Sequence, residues 1–361
     1  MYNELYSEDV GSFFRSPVRE IFKKVDLNAI YSFAGGYPSA DTFPLEEIDR
    51  TMSEVIAKYG AKAFQYGATQ GVPELREAVA KRCGVPVERV QITSSSQQGI
   101  DVCTRVLVDP GDVILTSSPS YLGALQSFRS YRADIRGVKH DADIVAFERA
   151  YEDVIAQAHA EGKKIKFLYM IPDFQNPTGI TMTLEQRQYL VRIARKYDIL
   201  ILEDSPYKEI RFEGEHLPYL YSMAPERTIM LGTFSKTFAP GFRLGWIVAP
   251  KEFIHQINLA KQSADLCSPT FDQFVAARYL KKGLFEKNLV GTVEMYRKKR
   301  DLMLKSLEEY MPEGVTWTKP DGGLFLLVKL PEWYDARDLF EVALQKNVAF
   351  VIGEAFFCDG S

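Results

Sequence analysis

Lys236 is the residue whose surroundings ask most for a chemical explanation. It stands in Gly232-Thr233-Phe234-Ser235-Lys236-Thr237-Phe238-Ala239-Pro240-Gly241-Phe242-Arg243, directly after the apolar run Thr228–Leu231. A lysine between two phenylalanines at a strand end is a poor place for a solvated ammonium. Desolvation there lowers its pKa toward the neutral, nucleophilic amine. Thr233, Ser235 and Arg243 add hydroxyls and a bidentate cation, a set suited to phosphate. A surface lysine that snorkels to water is the plain alternative.

Three further junctions carry polar residues. Ser94-Ser95-Ser96-Gln97-Gln98-Gly99 opens a helix, where free N–H groups and the positive dipole end face any anion. The same residues would equally serve as a Ser-capped helix start. Pro172-Asp173-Phe174-Gln175-Asn176-Pro177-Thr178-Gly179 follows another apolar run and reads locally as a turn. Glu203-Asp204-Ser205-Pro206-Tyr207 ends a third. An acid there needs a cation or a donor, because an unpaired buried carboxylate is costly; a structural salt bridge is one answer. Tyr207 either shares Asp204's cavity or caps the core.

The elements that must position these residues follow from periodicity. Candidate strands are 90–93, 113–116, 165–170, 199–202, 228–231 and 244–248, several continuously apolar, as for strands covered on both faces of a parallel sheet. Between them run amphipathic helices. After Thr183, a capping-box spacing to Gln186 precedes Leu190, Ile193, Ala194 and Tyr197 on one face. Such alternation predicts a three-layer α/β/α domain with a mostly parallel sheet, whose ligands gather at the strands' carboxyl ends. The flanks predict a smaller α+β domain built from both termini, including a strand over Leu324–Val328 after the Gly322-Gly323 turn. The expected boundaries are 1–45 for the N-terminal segment joining the small domain, 46–290 for the large domain and 291–361 for the small one.

Composition excludes several other classes. Net charge is −4 with signs interspersed, which gives no footprint for nucleic acid or an acidic membrane surface. The densest basic run, Arg297-Lys298-Lys299-Arg300, reads as a solvated helix face. The four cysteines and four histidines are scattered, so neither a metal site nor a disulfide framework is expected. No apolar run approaches the roughly 20 residues of a membrane span, and the acidic start lacks a signal core. The chain reads as cytoplasmic.

The ordered set of Gln175-Asn176-Pro177-Thr178-Gly179, Glu203-Asp204-Ser205-Pro206-Tyr207 and the Lys236 segment through Trp246 resembles the class I/II aminotransferases of the fold-type I pyridoxal-phosphate (PLP) enzymes. Within them it is most similar to the 2-aminoadipate and kynurenine aminotransferase branch. The likeness runs from Ala34-Gly35-Gly36-Tyr37-Pro38 to Pro320-Asp321-Gly322-Gly323. It implies that Lys236 carries the cofactor as a Schiff base and, once freed, moves the substrate's Cα proton. It implies Asp204 against the pyridine nitrogen, Asn176 and Tyr207 on the phenolic oxygen, and Tyr121 stacked on the ring. Ser95, Ser96, Gln97, Thr233, Ser235 and Arg243 would surround the phosphate, with Tyr66 supplied by the second subunit of a homodimer. Gly36 and Asn176 would lie near the bound amino acid. Arg19 matches an arginine that meets a distal carboxylate, or is an exposed helix arginine.

The expected reaction moves the amino group of an L-amino acid to a 2-oxo acid such as 2-oxoglutarate. A C–S β-lyase would use the same lysine and aspartate. A PLP-sensing regulatory module is a further alternative, but too few residues precede Gly36 for a DNA-binding domain. Tyr37, Tyr66, Tyr121 and Phe325 permit aromatic, branched or long dicarboxylic substrates. The family's α-carboxylate arginine follows a Phe-Phe-x-Asp-Gly segment; here Phe356-Phe357-Cys358-Asp359-Gly360 precedes the last residue, Ser361, so the chain is expected to be cut short of it.

Overall fold

The computed structural model describes residues 2–7, 10–11 and 30–359. Arg19, one of the expected substrate contacts, lies outside them. The strands in chain order are β1 (Tyr31–Ser32), β2 (Val90–Thr93), β3 (Val113–Ser118), β4 (Asp134–Lys139), β5 (Ile165–Met170), β6 (Leu200–Asp204), β7 (Thr228–Thr233), β8 (Gly245–Val248), β9 (Thr316–Trp317), β10 (Val328–Lys329) and β11 (Val348–Ala349). Seven form the central sheet, in the order β2-β8-β7-β6-β5-β3-β4. Only β8 runs antiparallel to its neighbours.

Successive residues of the central strands enter two different cores, as the two-residue period of a strand requires. Val113, Leu115, Leu168, Met170 and Ile201 join Phe147, Tyr151, Leu190 and Ile193 from the helices Ile144–Ala160 and Leu184–Lys196. Ile114, Phe167, Tyr169, Leu202 and Ile247 join Ile100, Cys103, Phe128 and Ile254 from helices on the opposite face. Full burial of each such side chain is worth about 1.5–3 kcal/mol, which holds the sheet between its helical layers. The expected three-layer α/β architecture is therefore observed. Thr183 caps its helix as the spacing requires, with Thr183 Oγ1 accepting from Gln186 N at 3.2 Å and Gln186 Oε1 accepting from Thr183 N at 3.0 Å.

Some expectations change. β4 was not anticipated: Asp-Ile-Arg-Gly-Val-Lys is an edge strand, only partly buried, and its charges hide it from an apolar-run criterion. β6 runs on to Asp204, so Glu203 and Asp204 lie on the strand itself. The expected strand over Leu324–Val328 is a ladder only at Val328–Lys329, paired with Thr316–Trp317. Gly323 adopts φ +77°, and the segment after it bends inward to deliver Phe325 to the site instead of continuing a sheet. Nor is the whole basic run solvated. The Arg300 side chain is 9% exposed, crosses Phe212, pairs with Glu213 and donates to Pro320 O at 2.7 Å.

Two short ladders lie apart from the main sheet. Besides β9–β10, β1 pairs in parallel with β11, Tyr31 opposite Val348 and Ser32 opposite Ala349, so residues from the two ends of the chain share one ladder. Among the described residues no helix is long and apolar enough to cross a membrane.

Candidate active site

The carboxyl ends of β5, β6 and β7 lie side by side, and Tyr169, Asp204 and Lys236 meet there. Because neighbours on a strand face opposite ways, Glu203 and Asp204 part company. Glu203 is fully buried and accepts the backbone N–H groups of Leu220 at 3.0 Å and Tyr221 at 2.8 Å. It is a structural acid, held by donors, one of the two alternatives the sequence allows, and not by a salt bridge. Asp204 turns to the other face. Its Oδ2 accepts the Tyr169 hydroxyl at 2.8 Å, and its Oδ1 is buried with no hydrogen-bond partner. Burial pushes its carboxyl up to about 7, against the Tyr169 hydrogen bond and the Lys236 charge.

Lys236 follows β7 in a tight turn. Its Nζ donates to the carbonyl of Gly36 at 3.1 Å and lies 6.0 Å from the centre of the Tyr207 ring. Its pKa is pushed down to about 8, chiefly by burial, with the Arg243 charge adding and Asp204 opposing. The direction agrees with the sequence reading, but the reason differs. Phe234 packs on Trp246 and Phe285, and Phe238 on Phe242 and Tyr279, all in the core beneath the turn. The surroundings of the lysine come instead from Gly36 and Tyr207.

Asn176 is buried, and its Oδ1 is a second orphaned oxygen. Gln175, beside it, braces the loop by donating to Pro119 O at 2.8 Å and accepting from Thr178 N at 3.0 Å. Tyr207 is 4% exposed and meets Phe325 edge-on at 5.6 Å. Burial holds its hydroxyl proton well above the ordinary range.

A second group of residues gathers at the start of the helix Ser95–Leu107. Ser95 Oγ lies 3.2 Å from Ser235 Oγ and 3.4 Å from Thr233 Oγ1, and those two are 2.9 Å apart. Ser95 itself holds φ +72°, a conformation that bends the loop sharply into the helix. Gly245 lies so close that an added Cβ would sit 2.7 Å from both Ser95 C and Gly232 O. Three hydroxyls gathered at a helix N-terminus, with no room for extra carbon at Gly245, are an arrangement that can hold an anion. The Gln97 side chain is otherwise engaged: it accepts from the Tyr121 hydroxyl at 3.1 Å and donates to Gly123 O at 2.9 Å. Arg243 is exposed, with its Nη1 on Pro240 O at 3.4 Å, yet near enough to depress Lys236.

Gly36 holds φ +56°, and a Cβ there would fall 2.2 Å from Phe325 Cζ. Tyr66 is not brought to this cavity within the chain; it is 81% exposed, and the neighbouring Phe64 stacks on Phe271 at 5.0 Å. Tyr169 was missed by the sequence reading. The signal was a hydroxyl inside the buried strand Ile-Lys-Phe-Leu-Tyr-Met, where phenylalanine would fit without a partner.

The profile of the family described as Aminotransferase class I and II matches residues 33–361. The aromatic-amino-acid aminotransferase 1 of Thermococcus litoralis is 43% identical over 99% of this chain and 87% of its own length. A structure of Pyrococcus horikoshii kynurenine aminotransferase in complex with PMP superposes with a TM-score of 0.94 at 41% identity, over 99% of this chain and 90% of that one. The α-aminoadipate aminotransferase of Thermus thermophilus, complexed with N-(5'-phosphopyridoxyl)-L-leucine, gives 0.92 at 36% identity, over 100% and 91%.

The chain belongs to the class I and II aminotransferases. It is a PLP-dependent aminotransferase, and the residues present fit that cofactor: the orphaned buried Asp204 Oδ1 stands within electrostatic reach of a lysine of lowered pKa, and three hydroxyls, one of them on Ser235 directly before that lysine, cluster at a helix N-terminus.

Proposed function

We propose that the enzyme transfers the amino group of an aromatic or long-chain L-amino acid to 2-oxoglutarate, with Lys236 as the covalent attachment point of the cofactor. The observation that carries the assignment is the unpartnered buried oxygen Asp204 Oδ1, within electrostatic reach of Lys236. Asp204 takes the ring nitrogen and Asn176 and Tyr207 the phenolic oxygen. Tyr121 covers the ring, held by Gln97. Ser95, Ser96, Thr233, Ser235 and Arg243 hold the phosphate, with Gln97 contributing its backbone N–H. When bound, the cofactor supplies an electron sink for the bonds at the amino acid's Cα.

The chain's own residues do the rest. Lys236 Nζ, neutral in good part near its lowered pKa, takes up the proton from Cα and returns it. Against a protonated ring nitrogen Asp204 would be ionised despite the burial that raises its pKa, and its charge acts strongly in a dry site. Gly36 and Phe325 crowd the amino-acid side of the cavity, and Arg19 is the proposed partner of a distal carboxylate. The donor class rests on the aromatic-amino-acid, kynurenine and α-aminoadipate enzymes to which the chain is similar, and on Tyr121 and Phe325 beside Tyr207.

We further propose a large domain over 46–290 and a small one from 1–45 and 291–361, supported by the β1–β11 ladder. A homodimer with composite sites, proposed to be cytoplasmic, is supported as a dimer by the exposed Phe64 and Tyr66, aromatic surface that an interface would cover.

Lys236→Ala is expected to abolish the visible absorbance of the bound cofactor and nearly all turnover; a variant that keeps both refutes the assignment. A donor screen against 2-oxoglutarate tests the substrate. Tyrosine, phenylalanine, kynurenine or 2-aminoadipate should rank first, and preference for small donors such as alanine would overturn that choice.

A further inference from the structure

The fold treats the two oxygens of Asp204 differently. Oδ1 is left open, while Oδ2 is occupied by the Tyr169 hydroxyl at 2.8 Å. Tyr169 sits one strand away on β5, its Cα opposite Leu202. Its side chain is fully buried, and its ring is wedged edge-on against Phe128 at 5.3 Å and 76°. That wedge fixes where the hydroxyl points. A buried phenol is worth its desolvation only if the hydroxyl finds a partner, and the partner here is Asp204.

We propose that Tyr169 is a positioning residue of the amino-transfer reaction: by occupying Oδ2 it sets the rotation and charge of the Asp204 carboxylate, so that Oδ1 is presented to the ring nitrogen of the cofactor. This rests on Asp204 being the ring-nitrogen partner. Burial holds the Tyr169 proton well above the ordinary phenol range, so the tyrosine remains a donor throughout the working pH range. A donor on a carboxylate favours its ionised form, which opposes the burial that pushes Asp204 upward. The groups that face Asp204 are Tyr169 from β5, Tyr207 from its own loop and Lys236 from the turn after β7, with Tyr121 facing both tyrosines. Of these, Tyr169 alone is in hydrogen-bond contact with the carboxylate among the described residues.

The test is a double-mutant cycle read by PLP affinity. Cofactor-free wild type, Tyr169→Phe, Asp204→Asn and the double variant are titrated with pyridoxal phosphate from acid to mildly alkaline pH, and binding is followed by protein fluorescence. Tyr169→Phe removes one atom and keeps the ring against Phe128. It should weaken binding about tenfold or more, the loss expected for one hydrogen bond to a charged acceptor. It should also move the acid limb of the affinity upward by about one pH unit. In the Asp204→Asn background the limb should be gone, and Tyr169→Phe should change nothing further.

An unmoved acid limb, or the same weakening in both backgrounds, would overturn the proposal. Equal losses of melting temperature in both backgrounds with an unmoved limb would make Tyr169 a packing residue only. If Asp204→Asn alone binds cofactor with wild-type affinity and pH dependence, the assignment of Asp204 fails, and the role of Tyr169 with it.

Discussion

At the scale of single residues, the proposed chemistry depends on how the protein sets the charge of a lysine. Lys236 is pushed down to about 8 from an unfolded value of 10.5. Between those values the unfolded chain binds more protons than the folded one, so stability of the cofactor-free protein rises with pH across that window. Below about 8 the full cost of a buried ammonium is present. The same shift makes the amine reactive. In cofactor-free enzyme, an amine-directed reagent such as trinitrobenzenesulfonate should modify Lys236 with a half-maximal rate near pH 8, well ahead of the surface lysines. Peptide mapping checks the site, and a profile that matches the surface lysines would contradict the buried environment. The lowered pKa was legible from the sequence, but its cause was not. Phe234 and Phe238 stand two places either side of the lysine, yet they enter the core under the turn. Sequence spacing shows which residues are near along the chain and not which way a turn throws them.

At the scale of elements, each part of the site hangs from the end of a strand, and the supports are buried. The loop after β5 is pinned by Asp173, which is fully buried and accepts Arg187 Nη2 at 2.9 Å, Lys208 Nζ at 3.4 Å and Arg211 Nη2 at 3.5 Å. Arg187 also donates to Pro172 O at 3.0 Å and Pro218 O at 2.9 Å, tying that loop to the one after β6. One carboxylate thus serves three cations three residues before Asn176. Asp173→Asn is expected to cost about 3–5 kcal/mol, because it leaves buried positive charge uncompensated. Urea denaturation of the cofactor-free variant measures this, and a loss below about 1 kcal/mol would place the cluster with weak surface pairs. The four polar junctions were legible because each is a contiguous motif at a strand end. Their supports were not, since Asp173 meets partners 14, 35 and 38 residues away. The same separation, 35 residues, hid Tyr169 from Asp204.

At the scale of the molecule, the three-layer domain was readable from the alternation of apolar runs and amphipathic helices, while β4 and the inward bend before β10 were not. Those depend on an edge position and on Phe325 packing against Gly36, neither of which leaves a periodic signal. The proposed composite sites make a mixing experiment decisive. Lys236→Ala and Tyr66→Ala homodimers, each impaired, should regain about a quarter of wild-type activity when unfolded together and refolded, because half the dimers then carry one intact site. Measured at limiting cofactor, no recovery would place Tyr66 outside the site. A ribosome delivers the chain from its first residues, so β1, with Gly36 just beyond it, must wait for β11 before its ladder can close. The hydroxyls of Ser95, Thr233 and Ser235 are all present well before then. On the proposed assignment, the phosphate hydroxyls are therefore made during synthesis before the ladder that sets Gly36 can close.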